Sequence, residues 1–177
     1  VVAPHAPGIP LEEILEGIPV YRHKYWVERW QSLAYEGGIL PSIKENPLRL
    51  LQVPGFLISQ ILLARELLNT KNYDVIHAHW IIPQGLVVAL LKMFSSSLPP
   101  IVITSHGGDL FSLRGRLLSN LKKWIIRTAD KLTVVSSAMK TRALEQALVE
   151  NAKTDVIPMG VDAKHTFVPP APKSERS

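Results

Sequence analysis

The stretch IVITSHGGDLF, Ile101 to Phe111, sets a histidine, two glycines and an aspartate where a β-prone run gives way to a helical pattern. An imidazole at that point, His106, can hydrogen-bond a sugar hydroxyl or balance charge that develops during group transfer. Gly107 and Gly108 let the backbone approach a ligand closely and leave amides free. The same residues also make a plain turn in which Asp109 caps the basic helix that follows and His106 is polar filler. Taken alone, the segment leaves both readings open.

Other residues of chemical interest lie on either side of it. His77 and His79, in YDVIHAHW, are two apart and so share one face of a strand. Such a pair can bind a metal, and a metal-dependent hydrolase would need a third ligand, for which His106 is the nearby candidate. The alternative is one packed histidine and one that lines a cleft beside Trp80. Ser105, His106 and Asp109 are the residue types of a hydrolytic triad, yet neighbours on a strand point to opposite faces and no nucleophile elbow surrounds a serine. No Walker-type loop and no full Gly-x-Gly-x-x-Gly is present. Arg114 and Arg116 are candidates for a phosphate, weighed against a solvated helix face. Ser136 closes KLTVVSS at another strand end.

These side chains need a scaffold that brings strand ends together, and the patterning supplies one. YDVIHAHW, PPIVITSH, KLTVVSS and TDVIPMG read as strands, separated by helical patterns in PQGLVVALLKMF, RGRLLSNLKKWIIRTAD and AMKTRALEQALVENA. The alternation predicts an α/β fold, a Rossmann-like doubly wound and mostly parallel sheet with helices on both faces. Ligands of such sheets gather at the carboxyl ends of the strands, where HAHW, SHGGD and VSS all fall. Earlier in the chain, VVAP and GIPVYRHKYW read as strands and YEGGILPSIKENP as a loop. LRLLQVPGFLISQILLARELLNTKN reads as a long helix, bent or broken at Pro54 and Gly55. Residues 168–177 are expected to be a linker or tail, leaving 1–167 as one domain. An opening strand with its glycine-rich turn is expected to be missing, because the pattern starts at what looks like the next strand.

Composition narrows the function classes. A chain of 177 residues with 46% hydrophobic content is large enough for one domain with a sizeable core. The absence of cysteine removes disulfides and thiol chemistry and fits a cytoplasmic protein. The opening VVAPHAPG has neither an initiator Met nor the features of a signal peptide, so the chain is expected to be a cut piece of a longer protein. The most apolar stretch, Val53 to Ala64 between Arg49 and Arg65, falls short of the roughly 20 residues a membrane span needs. Net charge is +5, concentrated after His106. That favours phosphorylated small molecules or anionic lipid over nucleic acid, since aromatic interleaving and nucleic-acid modules are lacking. The helix with Trp124 and Ile125 opposite Lys122 and Lys123 is a candidate for peripheral contact at the inner membrane face, against packing on the sheet.

In this order and spacing, VVAPHAPG, GIPVYRHKYW, YDVIHAHWIIPQG, IVITSHGGDLF, ADKLTVVSSAMK and VIPMGVD resemble the amino-terminal domain of retaining GT-B glycosyltransferases of family GT4. The resemblance implies one half of a two-domain transferase, this half binding the acceptor and an absent carboxyl-terminal domain binding most of a nucleotide-diphosphate sugar. It implies that His106 reaches the transferred sugar as a catalytic residue and that Gly107, Gly108 and Asp109 shape the cleft loop. His79, Trp80 and Ser136 would line the acceptor side. No cofactor or metal is implied beyond the donor sugar, and the fragment alone is expected to be inactive. A non-catalytic sugar or anionic-lipid binding module is the alternative.

Overall fold

The computed structural model describes residues 1–35, 37–95, 97–112, 114–145, 151–162 and 167. The expected tail at 168–177 and the far end of the helix after Glu145 lie outside the described residues.

The second half of the chain folds as its periodicity predicts. Strands β4 (Ile76–His79), β5 (Ile101–Ser105), β6 (Lys131–Val134) and β7 (Thr154–Val156) form a four-stranded sheet in that order, every pair parallel. The connections are helical: α3 (Leu86–Phe94), a single turn α4 (Gly108–Phe111), α5 (Arg116–Thr128) and α6 (Ser137–Glu145). Each strand sends alternate residues into one core, where Ala78, Ile103, Leu132 and Val134 meet Val88, Ile125 and Met139. Residues of the opposite phase, His77, His79, Thr104 and Thr133, stay outside that core. The fold is thus α/β with an all-parallel sheet flanked by helices.

The first half is built differently. Strands β1 (Val2–Pro4) and β3 (Ile18–His23) are parallel, and β2 (Glu12–Leu15) runs antiparallel to β3 in a separate sheet of order β1-β3-β2. The sequence pattern gives no sign of β2, whose EEIL is charged and mostly exposed. Its hairpin is set by Glu16 and Gly17, both at positive φ, and by the Arg22–Glu13 ion pair across the strands. The expected loop between Tyr35 and Pro47 also contains structure, helix α1 (Ile39–Glu45).

Helix α2 (Gln52–Thr70) corrects the expectation of a break at Pro54. Pro54 lies in the first turn, where its missing N–H has no intrahelical partner to lose. Gly55 instead permits contact: a Cβ there would stand 2.5 Å from the Tyr25 carbonyl oxygen. With the 3₁₀ turn Pro47–Leu51 before it, the helical run is 24 residues, long and apolar enough to cross a membrane by length and composition alone. The short apolar stretch Val53 to Ala64 is thus part of a longer helix. In the structure, one face of α2 packs Phe56 against Tyr25 and Leu33.

Candidate active site

At the carboxyl edge of the parallel sheet the backbone sets three aromatic rings side by side. His79 ends β4 and His106 follows β5; their ring centroids are 5.2 Å apart with planes within 22°. His79 Nδ1 and His106 Nε2 lie 3.0 Å apart, one donating its N–H to the other. The Trp80 indole stands 5.4 Å from the His106 ring. The Trp80 backbone has φ of 78°, a conformation that a bulky side chain adopts only under constraint. Its ring then sits on Gly108, where an added Cβ would approach the indole to 3.0 Å. Gly107 is at φ of 102°, the left-handed region, and only glycine takes it cheaply.

Beneath the rings lies a buried polar cluster. Asp109 is 2% exposed, and its carboxylate accepts from the Ile81 backbone N–H at 2.6 Å and the Ser105 hydroxyl at 2.7 Å. One carboxylate therefore ties the residue after Trp80 to the residue before His106. Asp109 thus acts across the strand ends, and the alternative reading, a cap for the basic helix, is not what its carboxylate does. Lys122 of α5 is 2% exposed, and its ammonium donates to the Leu110 carbonyl at 2.9 Å and the Asp109 carbonyl at 3.5 Å. Burial lowers its pKa, with the Asp109 charge acting in the opposite direction.

Of the two readings of α5, packing on the sheet and lying on a membrane surface, that burial supports the first. Lys122 points inward, and Ile125 and Ile126 are core residues. In sequence, Lys122 looks like one more solvated cation beside Lys123 and Arg127. The signal that could have found it is the helical phase: Lys122 is three residues before Ile125 and four before Ile126, on their face.

His77 and His79 do share a face, their centroids 4.3 Å apart. His77 Nε2, however, meets the Thr104 hydroxyl at 2.7 Å, which in turn meets the Thr133 hydroxyl at 2.6 Å. Among the described residues no group of three or more His, Cys, Asp or Glu is placed to hold a metal ion. The pKa of His79 is lowered, first by burial and then by His77 and His106. Ser105 is fully buried and donates to Asp109, so it cannot meet a substrate as a nucleophile. Ser136 follows β6 and accepts from the Met139 N–H at 3.3 Å, capping α6, whose Met139 sulfur lies near Gly107. Arg114 turns back to the Phe111 carbonyl at 3.0 Å, and Arg116 opens α5 in an exposed position. The structure thus brings His79, Trp80, His106, Gly107, Gly108 and Asp109 together, with Ser136 at the neighbouring strand end and both arginines on the surface beyond α4.

A second feature adjoins this edge. The outer edges of β1 and β4 face a common cleft of about 680 Å³, lined among others by Val2, Tyr21, Gln60, Ala78, Gln84 and Val87. Gln60 Oε1 and Gln84 Oε1 are buried without a hydrogen-bond partner among the described residues.

Comparison with known proteins gives this arrangement a family context. Residues 1–165 match the family described as Glycosyltransferase Family 4. The chain is 31% identical over 104 residues to an uncharacterized glycosyltransferase of Methanocaldococcus jannaschii, an alignment covering 58% of this chain and 28% of that protein. It is 28% identical over 133 residues to the N-acetyl-alpha-D-glucosaminyl L-malate synthase of Bacillus anthracis, covering 75% of this chain and 32% of that one. The chain therefore spans about a third or less of the length of these curated relatives.

Proposed function

Because the chain belongs to Glycosyltransferase Family 4, we propose that it supplies the acceptor-binding half of a retaining sugar transferase that uses a nucleotide-diphosphate sugar. The observation that carries this reading is the cluster of His79, His106 and Trp80 over a glycine loop, at the sheet edge where α/β folds collect ligands. In the reaction, the bond from the anomeric carbon to the diphosphate oxygen breaks and an acceptor oxygen bonds to that carbon. The acceptor proton leaves with the diphosphate. A hydroxyl that enters between the two imidazoles must replace their 3.0 Å hydrogen bond, so binding exchanges one hydrogen bond for another. The exposed indole face of Trp80 offers an apolar surface to a sugar ring. The donor-binding part of the site belongs to polypeptide outside residues 1–177.

The cleft between β1 and β4 fits the same reading. Two facing strand edges with unused backbone groups and two buried amide acceptors without partners are what an added strand would satisfy. We assign that place to an opening strand from outside residues 1–177. Slow amide exchange along the facing edges of β1 and β4 in the full-length polypeptide supports this, and rapid exchange there refutes it.

The function is tested by screening the full-length polypeptide against nucleotide-sugar donors. His106→Ala is expected to lower kcat by about 100-fold or more. Undiminished transfer removes His106 from the chemistry, and sugar binding without turnover of any donor favours a non-catalytic binding module.

A further inference from the structure

We propose that Lys122 is a positioning residue for the His79–His106 pair, acting through the Asp109 loop without touching substrate. The starting observation is a cation in the wrong place. Burying an ammonium costs several kcal/mol unless its charge is met by well-placed partners, and an apolar side chain of similar volume would fill the same space on α5. The charge therefore needs an account that packing does not give.

The geometry supplies it. Lys122 reaches out of the helical core to the carbonyls of Asp109 and Leu110, on the underside of the loop that carries Gly107 and Gly108. Its short bond thereby fixes the Leu110 carbonyl, the residue next to the one whose carboxylate grips both strand ends, with the Asp109 carbonyl at the outer limit of reach. Asp109 takes the Ile81 N–H, one residue after Trp80 and two after His79, and the Ser105 hydroxyl, one residue before His106. A shift of Asp109 is thus transmitted to β4 and β5 together, and the two rings are only 3.0 Å apart at their facing nitrogens. A hydrogen bond of that length does not survive a displacement of an ångström. The loop's glycines give it no side chains with which to lock itself, so the lock comes from below.

The kinetic consequence rests on the transferase reading, while the geometric one does not, and the experiment separates them. In the full-length polypeptide, the ring nitrogens of His79 and His106 are followed by histidine side-chain NMR, with His5 and His23 as internal reporters of the fold. Lys122→Met is expected to abolish the complementary signature of one donating and one accepting ring while leaving His5 and His23 unmoved. Where a donor is turned over, kcat is expected to fall about 100-fold with KM little changed. A paired signature that persists in folded Lys122→Met overturns the proposal. Should that variant not fold, Lys122→Gln, which removes the charge and shortens the side chain while leaving the Asp109 carboxylate in place, carries the same expectation and the same refutation. If neither folds, Lys122 is a folding residue and the proposal is wrong. Ring signals that respond in a protein that turns over no donor leave the positioning role standing and the transferase reading fallen; the reverse outcome does the opposite.

Discussion

The parallel sheet β4–β7 and the mixed sheet β1-β3-β2 handle buried polarity in opposite ways. In the first, Thr104, Thr133, Ser105, Asp109 and Lys122 are all buried and all hydrogen-bonded to one another or to nearby backbone. Around the second, His23 Nε2 and Gln60 Oε1 are buried without a partner among the described residues, and the one such group of the first, Gln84 Oε1, lines the cleft that β4 shares with β1. Its apolar cluster is also small, Tyr25, Leu33 and Phe56, against the continuous core under β4–β6. A finished polar network belongs with a rigid site, and orphaned groups beside an open strand edge belong with a surface still to be covered. The difference teaches that the chemistry is mounted where the polar network is finished, over β5 and β6, while the edge of β4 shares an open cleft with β1.

The comparison breaks most directly in the two cores. Ile125→Ala removes a fully buried side chain beneath Gly85 and is expected to cost about 2–5 kcal/mol. Phe56→Ala removes the ring between His23 and Tyr25, at a cost of about 3–5 kcal/mol. Hydrogen exchange should tell them apart. Ile125→Ala lowers protection across β4–β6, whereas Phe56→Ala opens β1, β3 and α2 and leaves β4–β6 protected. Equal loss everywhere in both variants would make the halves one cooperative unit.

The same contrast explains what was legible in the sequence. Strands β4, β5 and β6 and helices α3 and α5 announce themselves because both their faces obey one period, and the histidines stand out because they interrupt it. The contacts of Asp109 and Lys122 are not legible because they are made with partners from other elements: Ile81 and Ser105 for one, the loop carbonyls for the other. In the first half, β2 is an exposed edge held by a hairpin turn and one ion pair, with no apolar alternation to read. Pro54 signals a break only if it lies inside a helix, and the start of α2 is fixed by contacts with Tyr25 that the local sequence does not contain.

Acid should sharpen the comparison next. The Ser59 hydroxyl donates to the Phe56 carbonyl at 3.2 Å and so accepts from His23 Nδ1 at 2.8 Å, leaving Nε2 as the bare, buried nitrogen. Burial lowers the His23 pKa from 6.5 to about 4. Above the unfolded value both states are neutral and the full stability is present. As pH falls from 6.5 to about 4, the unfolded chain binds a proton that the folded chain refuses, and stability drops by up to roughly 3 kcal/mol. Denaturant melts across that window should show the loss, and His23→Phe should flatten it. An unchanged slope in that variant would place the acid sensitivity in the site half, where the lowered pKa of His79 works in the same direction.

Backbone strain gives a smaller and more local contrast. Gly107 and Gly115 are both in the left-handed region, at φ of 102° and 110°, so alanine at either should cost about 1–2 kcal/mol. Only Gly107→Ala bends the chain next to His106. Equal stability losses are expected, with Trp80 fluorescence altered by the first substitution and not by the second. A change from Gly115→Ala would mean that the loop before α5 is coupled to the rings.

The smallest effect is expected at the outer edge of the parallel sheet, where Lys131 of β6 pairs with Asp155 of β7 at 3.0 Å. Both side chains are about half exposed, 47% and 56%, so water and salt screen the pair and ordering two side chains offsets part of the attraction. Asp155→Asn should change stability by no more than about 1 kcal/mol, less as salt rises. Lys131 also reaches the Ala152 carbonyl at 3.3 Å and keeps that contact in the variant. Asp109 is the paired control, a buried carboxylate held by an amide, a hydroxyl and a nearby ammonium. Asp109→Asn should cost several times more than Asp155→Asn, because a buried network loses a charge that its partners were arranged around. Equal costs at the two positions would show that the cluster under the rings is no more ordered than the surface, and the contrast between the two halves would rest on their apolar cores alone.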